Sequence, residues 1–290
     1  MNILVTGANG FIGQRLSSRL IDQGHQVFGL SLKSPSNTPL GFKAYYQQDI
    51  SKPFSLNGTF DLVIHLAAYN ITHVGDKDGG HYTAINVDGT KHVLQAVQTK
   101  KFILLSTAKV YKNVGIPLTE DSPLEAKGAY EQSKLKAEEA CQAFFKKGSL
   151  VILRPVNVVG WGQAAKAVIP VFFEKAKTNQ PLDIIYPAHT PMQFVYVDDL
   201  ADAVMFLISH ENVDGIFNIA HEKTVNLEQL ARAVITITHS SSVLNITRNA
   251  PEMLFSPVVC AKAYQQLGWK ANTGLPKILE LYGEAYAGRL

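Results

Sequence analysis

Cysteine is scarce in this 290-residue chain; there are two, Cys141 and Cys260. Two thiols cannot build a disulfide framework, and their spacing matches no metal-ligand motif. The expected setting is therefore reduced and cytoplasmic. Long apolar runs are also missing. None reaches the ~18 residues that a membrane-spanning helix needs, so no membrane association is expected. The opening MNILVTG has no basic segment and no small-residue cleavage site, so no signal peptide is expected. Charge of one sign is scarce too. The net charge is +3 and the KK pairs are scattered, which argues against nucleic acid as a partner. The nine histidines form no HxH or HExxH pair, so metal catalysis is not expected. What remains is an ordinary globular composition, 46% hydrophobic and 18% charged.

From residue 2 to about residue 155, short β-rich runs alternate with amphipathic helical stretches. The strand runs are NILVT (2–6), QVFGLS (26–31), AYYQQ (44–48), DLVIHLA (61–67), FILLS (102–106) and LVILR (150–154). Most are continuously apolar, which suits strands buried on both faces. Helical patterns lie at 11–23, about 79–99 and about 127–147. This alternation predicts an α/β protein with a Rossmann-type, doubly wound parallel sheet. After Arg154-Pro155 the pattern changes. Gly, Pro and Asn become frequent around 157–162 and 181–193, and helical stretches follow at about 165–178, 198–210, 226–237 and 274–287. A strand is expected at 215–220. The expected division is a dinucleotide-binding domain over 1–155 and a smaller, mostly helical substrate lobe over 156–290, with interleaved contributions.

TGANGFIG (6–13) follows the first strand directly and opens a helix, with glycines at Gly7, Gly10 and Gly13. A tight turn of this kind brings backbone N–H groups and the positive helix end against a diphosphate. Glycine permits the close approach. The spacing is GxxGxxG rather than the commoner GxGxxG, and a purely structural glycine turn is the alternative. Cofactor choice is usually made at the end of the second strand, where an acid bonds the ribose of NAD. Here the strand ends GLSLKS, with Ser31 in that position, Lys33 close behind and no acid. The missing carboxylate removes repulsion against a 2′-phosphate and favours NADP over NAD.

GAYEQSK (128–134) sets Tyr130 and Lys134 four residues apart, on one face of a helix. Alone, this is either a solvated helix surface or a phenol held beside an ammonium group. A free phenol has a pKa of about 10, and bringing it near 7 requires about 4 kcal/mol. A lysine charge about 4 Å away, at an effective dielectric of ~20, is worth about that much. Such a pair can remove or supply a hydroxyl proton during hydride transfer.

Taken in order, TGANGFIG (6–13), QDI (48–50), HLAA (65–68), NVDGT (86–90), LLSTAKVY (104–111), YEQSK (130–134), RPVNVVGWG (154–162) and FVYVDDLADAV (194–204) resemble the extended short-chain dehydrogenase/reductase superfamily. Within it the chain looks most like the nucleotide-sugar epimerase/dehydratase group. The resemblance implies catalysis by Thr107, Tyr130 and Lys134. It implies cofactor binding by Gly7, Gly10, Phe11, Ile12, Gly13, Ser31, Lys33, Asp49, Ile50, Ala67, Ala68, Tyr130, Lys134 and Pro155. Thr107, Asn157 and Arg248 would meet the substrate, and Asn86 would support the site. Family members often dimerise through the helix that carries the Tyr-Lys pair and the one before it. Here Val93, Val97, Leu135 and Phe144 are the apolar residues available for a homodimer or for the protein's own core.

Two departures shape the expected activity. The 4,6-dehydratase branch carries an Asp-Glu pair directly after its catalytic Thr, whereas Ala108 and Lys109 follow Thr107 here. Dehydration is therefore not expected. Many nucleotide-sugar members carry an arginine just before the segment matching FVYVDD, where this chain has Met192 and Gln193. The expectation is an NAD(P)-dependent sugar oxidoreductase or epimerase acting on a nucleotide-linked keto-sugar. The alternatives are a reductase of non-sugar carbonyl compounds and a non-catalytic NADP-sensing protein. Asp198 and Asp199 read as carboxylates opening a helix, and His65 as a packed residue at a strand end. His189, Lys109 and Tyr111 are further candidates to line a substrate pocket.

Overall fold

Continuously apolar strands need cover on both faces, and the chain supplies it by returning over the sheet with helices. The computed structural model describes residues 1–34, 41–70, 79–145, 149–184, 188–210, 212–247 and 254–288. Its first half contains β1 (Asn2–Thr6), α1 (Phe11–Asp22), β2 (Gln26–Ser31), β3 (Ala44–Gln47) and β4 (Thr59–His65). A continuous helical stretch comes next: one turn of α2 (Gly79–His81), a π-helical segment Tyr82–Asp88, and α3 (Gly89–Ala96). Then come β5 (Gln98–Leu105), a 3₁₀ turn at Ala108–Val110, α4 (Ala129–Phe144) and β6 (Leu150–Pro155). The remainder holds β7 (Asn157–Val159), α5 (Val168–Lys177), β8 (Leu182–Ile184), β9 (Pro191–Tyr196), α6 (Val197–Ser209) and β10 (Gly215–Ile219). It closes with β11 (Thr224–Asn226), α7 (Leu227–Ile237), β12 (Leu244–Ile246), α8 (Ala261–Leu267) and α9 (Leu275–Ala287).

The main sheet is seven-stranded and parallel throughout, in the order β10-β6-β5-β4-β1-β2-β3. The order reverses between β1 and β4, and that switch point opens a crevice at the strand ends. Successive residues of each strand divide between two cores. Ile3, Val5, Leu62, Ile64, Ile103, Val151 and Leu153 pack with Leu16 and Leu20 of α1 and with Leu200, Val204 and Leu207 of α6. Leu4, Val63, Phe102, Leu104 and Ile152 pack with Val93 and Leu94 of α3 and Cys141 of α4. This two-sided burial is why the strands read as unbroken apolar runs. Val93 and Val97 belong to the second core, whereas Leu135 is half-buried and Phe144 exposed.

The second half has the expected helices and also two small sheets that the residue pattern does not reveal. One runs β11-β9-β7 and the other β12-β8. Four of these five strands are three residues long, too short for a period of two to register. The pattern gives no sign of helix α8 either. The strand β5 begins at Gln98 rather than Phe102, because its first residues, QTKK, carry no apolar side chain. Lys101 is buried there and donates to the carbonyls of Leu207 (3.0 Å) and His210 (2.9 Å) at the end of α6. A cation at those carbonyls satisfies a helix C-terminus.

The two halves are tied by charge. Arg15 forks onto the Asp198 carboxylate, while Arg19 reaches Asp202 and donates to the Asp198 carbonyl (3.1 Å). Asp199 is buried, and its carboxylate accepts from the Thr273 amide and hydroxyl, both at 3.0 Å. The Trp269 indole donates to the Asp199 carbonyl (3.0 Å). Both aspartates lie in the first turn of α6, as their structural reading expected.

The turn after β1 has little slack. Gly7 has φ +70°, and a Cβ on it would lie 2.8 Å from the Ala67 nitrogen. A Cβ on Gly13 would overlap the Gly7 carbonyl oxygen and lie 2.8 Å from Ala8 Cα. At Gly10 the nearest atom would be 3.1 Å away. Gly13→Ala is therefore expected to cost about 1–3 kcal/mol or more in stability. Gly10→Ala should cost distinctly less. Urea denaturation of both variants checks the order.

Candidate active site

The C-terminal ends of β1, β4, β5 and β6 deliver most of the predicted residues to one edge of the sheet. The β1 end leads into the glycine turn, where Gly7 N–H (2.7 Å) and Ala8 N–H (3.3 Å) donate to the Leu30 carbonyl. No side chain caps α1, whose N-terminal residue is Phe11. Its first amides thus point outward from the turn as donors for an anion. Phe11 and Ile12 are half-buried against the neighbouring cores. The end of β2 lies beside this turn, since Asn9 N–H donates to Ser31 Oγ (3.0 Å). Lys33 is exposed. Asp49 accepts from the Ser51 amide (3.0 Å) and hydroxyl (2.7 Å), which hold its carboxyl below the usual range. Ile50 is buried, and its carbonyl accepts from His92 (2.8 Å). Ala67 and Ala68 lie just past β4, and Ala67 N–H donates to Thr6 Oγ1 (3.2 Å).

His65 packs at the same strand end, with Nδ1 2.6 Å from Thr6 Oγ1 and Nε2 3.0 Å from Thr90 Oγ1. The Thr90 hydroxyl donates to the Asn86 carbonyl (2.6 Å), so it accepts from Nε2–H and leaves Nδ1 to accept from Thr6. Each polar atom of a neutral imidazole is then matched. Burial, reinforced by Lys134, pushes the His65 pKa down to about 3.

Thr107 stands at the end of β5 and opens the 3₁₀ turn, its Oγ1 accepting from Lys109 N–H (3.3 Å). The Thr107 side chain lies near enough to the Tyr130 phenol to favour its ionised form. Tyr130 and Lys134 occupy consecutive turns of α4. Asn86, buried on the π-helical segment, joins this helix to the β4 side of the site. It donates to Ser133 Oγ (2.8 Å) and the Tyr69 carbonyl (3.0 Å), and accepts from Tyr69 N–H (2.7 Å). Ser133 in turn donates to the Tyr130 carbonyl (2.7 Å).

The electrostatics correct one expectation. Tyr130 is not brought toward neutrality. Burial pushes its pKa up to about 12, the Glu131 charge adds to this, and the nearby Thr107 hydroxyl opposes it. Lys134 is buried, and burial lowers its pKa to about 8 against the pull of Glu138. Among the described residues its ammonium makes no hydrogen bond. Desolvation, and not the nearby lysine charge, is the leading influence on the phenol.

Other residues sort differently. Pro155 ends β6 and is buried, while Asn157 in β7 is exposed. Gln193 is buried and fully engaged. Its amide donates to the carbonyls of His221 and Val258, both at 3.1 Å, and accepts from Val258 N–H (2.6 Å). Tyr111 is buried with its hydroxyl donating to Asn218 (2.8 Å), so it belongs to the core. Lys109 is exposed. His189 lies 3.5 Å from Glu228 on the surface. Arg248 lies outside the described residues. Sequence reasoning also missed Glu138 and Arg154, a buried ion pair at 2.6 Å one turn beyond Lys134. Its only trace was a charge on an otherwise apolar strand, LVILR.

A doubly wound parallel sheet with a glycine turn at its switch point and a Thr-Tyr-Lys cluster beside it defines a class of dinucleotide-dependent enzymes. Residues 3–220 match the NAD dependent epimerase/dehydratase family, and the chain belongs to it. It is 26% identical to an Escherichia coli dTDP-4-dehydro-6-deoxyglucose reductase, over 96% of each chain. It is also 26% identical to a human dTDP-D-glucose 4,6-dehydratase, over 98% of this chain and 90% of that one. A solved UDP-glucuronic acid 4-epimerase from Bacillus cereus, in complex with UDP-glucuronic acid and NAD, has the same fold. The TM-score is 0.86 at 24% identity, with full coverage of both chains. Among the described residues no helix is long and apolar enough to cross a membrane, and no His/Cys/Asp/Glu group could hold a metal ion.

The buried neutral histidine makes a pH prediction. Its folded pKa of about 3 lies below the ordinary 6.5. Its stabilising contribution is therefore complete above pH 6.5 and is lost as pH falls toward 3, because the unfolded chain takes up the proton first. The loss from this group is about 1.4 kcal/mol per pH unit inside that window. His65→Asn should have a shallower decline in stability between pH 6.5 and 5, measured by urea denaturation at each pH.

Proposed function

We propose that this enzyme reduces a nucleotide-linked keto-sugar, with NADP preferred to NAD. The observation that carries this reading is the Thr107 hydroxyl beside the half-buried Tyr130 phenol, with Lys134 one turn away. At neutral pH a phenol whose pKa is about 12 holds its proton. It is already in the form that donates to a nascent alkoxide, which is what reduction requires. Likeness to a reductase along 96% of both chains supports the same direction.

The glycine turn and the buried ammonium without a hydrogen-bond partner among the described residues both fit a dinucleotide. Gly7, Gly10 and Gly13, with the first turn of α1 at Phe11 and Ile12, take the diphosphate. Ser31 and Lys33 meet the 2′-phosphate. Asp49 and Ile50 flank the adenine, and Ala67 and Ala68 run along the cofactor. Lys134 reaches the nicotinamide ribose, near Pro155. The nicotinamide, when bound, supplies the hydride. Thr107 holds the substrate oxygen as charge develops, Tyr130 protonates it, and Lys134 stabilises the phenolate left behind. Asn157 contacts the substrate. The working division is a dinucleotide-binding part over 1–155 and a substrate part over 156–290, with β10 returned to the first sheet. Leu135 and Phe144 are the apolar residues on α4 for a homodimer.

Ala108 and Lys109 leave no carboxylate directly after Thr107, which argues against dehydration. Gln193 cannot turn to a substrate diphosphate without abandoning three hydrogen bonds. Epimerisation through a transient ketone is the second reading, favoured by the family to which the chain belongs.

Nucleotide released on denaturing the purified protein, identified by mass spectrometry, separates the two. A reductase exchanges its cofactor and should release little, then bind added NADPH in preference to NADH. Retained NAD would instead mean a cofactor recycled in place, as in an epimerase. In a screen of nucleotide-linked keto-sugars followed by NADPH oxidation, Tyr130→Phe should lower kcat by about 10²–10⁴-fold. Full turnover in that variant would remove the phenol from the mechanism. Ser31→Asp should shift preference toward NADH by tenfold or more, about 1.4 kcal/mol. An unmoved preference would show that the end of β2 does not select the cofactor.

A further inference from the structure

One buried carboxylate on α4 touches both the end of β5 and the end of β6. Glu138 Oε1 accepts from the Ser106 hydroxyl and from Arg154 Nε (3.1 Å), and Oε2 accepts from Arg154 Nη2 (2.6 Å). Ser106 immediately precedes Thr107 at the end of β5. Arg154 immediately precedes Pro155 at the end of β6. Glu138 itself lies on α4 one turn after Lys134, which lies one turn after Tyr130. Tyr130, Lys134 and Glu138 therefore fall at i, i+4 and i+8 of one helix face. The Glu138 and Arg154 side chains are 1% and 2% exposed.

We propose that Glu138 is the positioning residue of this site: its carboxylate locks the strand end bearing Thr107 and the strand bearing Pro155 to the helix bearing Tyr130 and Lys134. That it acts on a catalytic lysine rests on the function proposed above. The three-way tie does not.

Physical considerations favour this over simple core filling. A buried ion pair is weakly stabilising at best, because desolvating two charges offsets most of their attraction. An apolar pair would serve packing alone. What this pair adds is geometry and a fixed negative charge. Arg154 is held from two sides, since its guanidinium carbon also stands 4.8 Å from the centre of the Tyr111 ring. Tyr111 is tied to Asn218 of β10 (2.8 Å), so the lock extends to the strand contributed by the second half. The charge acts on Lys134. Burial works against its ammonium form, while Glu138 and, less strongly, Cys141 favour it. From β4, the His65 imidazole faces the same ammonium and stays neutral. Tyr130, on the preceding turn, is protonated. Glu138, ion-paired with Arg154, is the carboxylate that favours the charged form of the lysine.

The test is a lysine titration followed by NMR on the whole protein, with lysine ¹³C-labelled at Cε and the Lys134 signal assigned by its loss in Lys134→Arg. The parent should titrate near pH 8. Glu138→Gln keeps the shape and removes the charge. Its Lys134 should titrate about one unit lower, a tenfold fall in the ratio of charged to neutral amine at a given pH. Glu138→Asp should restore most of the parent value. Glu138→Gln also strands the Arg154 charge. The double variant Glu138→Gln, Arg154→Met removes both charges and should keep a cooperative thermal transition with the Lys134 titration still lowered. An unchanged or raised Lys134 titration in both folded variants overturns the proposal. NADPH binding, read by fluorescence, should weaken tenfold or more in Glu138→Gln and recover in Glu138→Asp. If the parent binds neither NADPH nor NADH, the proposed function fails, and the lysine titration still decides the role of Glu138.

Discussion

A parallel sheet must be covered on both faces, and most of this molecule derives from that requirement. The crossovers that return the chain to the same edge also lay helices over the strands. Here α1 and α6 cover one face, and α3 and α4 the other. All seven strands then end on the same side, so one edge of the sheet collects the loops attached to those ends. The proposed catalytic cluster needs no separate scaffold. Thr107 lies two residues past the last residue of β5, Pro155 is the last residue of β6, and α4 packs on the sheet through Cys141 and is tied beside both residues by Glu138, through Ser106 and Arg154.

That same constraint explains how much could be read from residues alone. Runs such as NILVT and LVILR are apolar at nearly every position because both faces of each strand meet helices, and their boundaries fell within a residue or so of the observed ones. The glycine turn was legible because its backbone geometry excludes side chains at Gly7 and Gly13. The small sheets of the second half were not. A three-residue strand such as LDI or TVN carries no period, and its pairing is decided by partners far away in the chain. Nor did the sequence pattern reveal that Gln193 is bonded to His221 and Val258 rather than open to a ligand. That depends on the proximity of three segments, each ordinary when read singly.

The phenol was harder to read for a different reason. Two charges at helical spacing can be assigned an energy from distance and dielectric, and that sum favours a phenolate at Tyr130. The calculation omits what folding does to both groups. Half-buried Tyr130 and buried Lys134 are each pushed toward their neutral forms, and in both cases burial is the leading cause. A pair placed by sequence is thus a statement about proximity. The protonation states are set by the surrounding low-polarity packing and by the charges that packing admits, Glu131 and Glu138 foremost.

This bears on the direction of the chemistry. A ketone reductase asks the phenol only to give up a proton as the alkoxide forms, and a phenol with a pKa of about 12 is fully loaded for that task at neutral pH. An epimerase asks the same group to act first as a base, and burial opposes the phenolate it then needs. The oxidised nicotinamide carries the positive charge that offsets this, so oxidation depends on the charge of the bound cofactor as well as on Lys134. Reduction begins from a neutral nicotinamide and a neutral phenol, both favoured by a desolvated site. On the proposed function, the balance between the two reactions then rests on whether the nucleotide held in the site is oxidised or reduced. With Ser31 and Lys33 in place of an acid at that strand end, the cofactor we propose is the phosphorylated one, and the site's electrostatics and that preference point the same way.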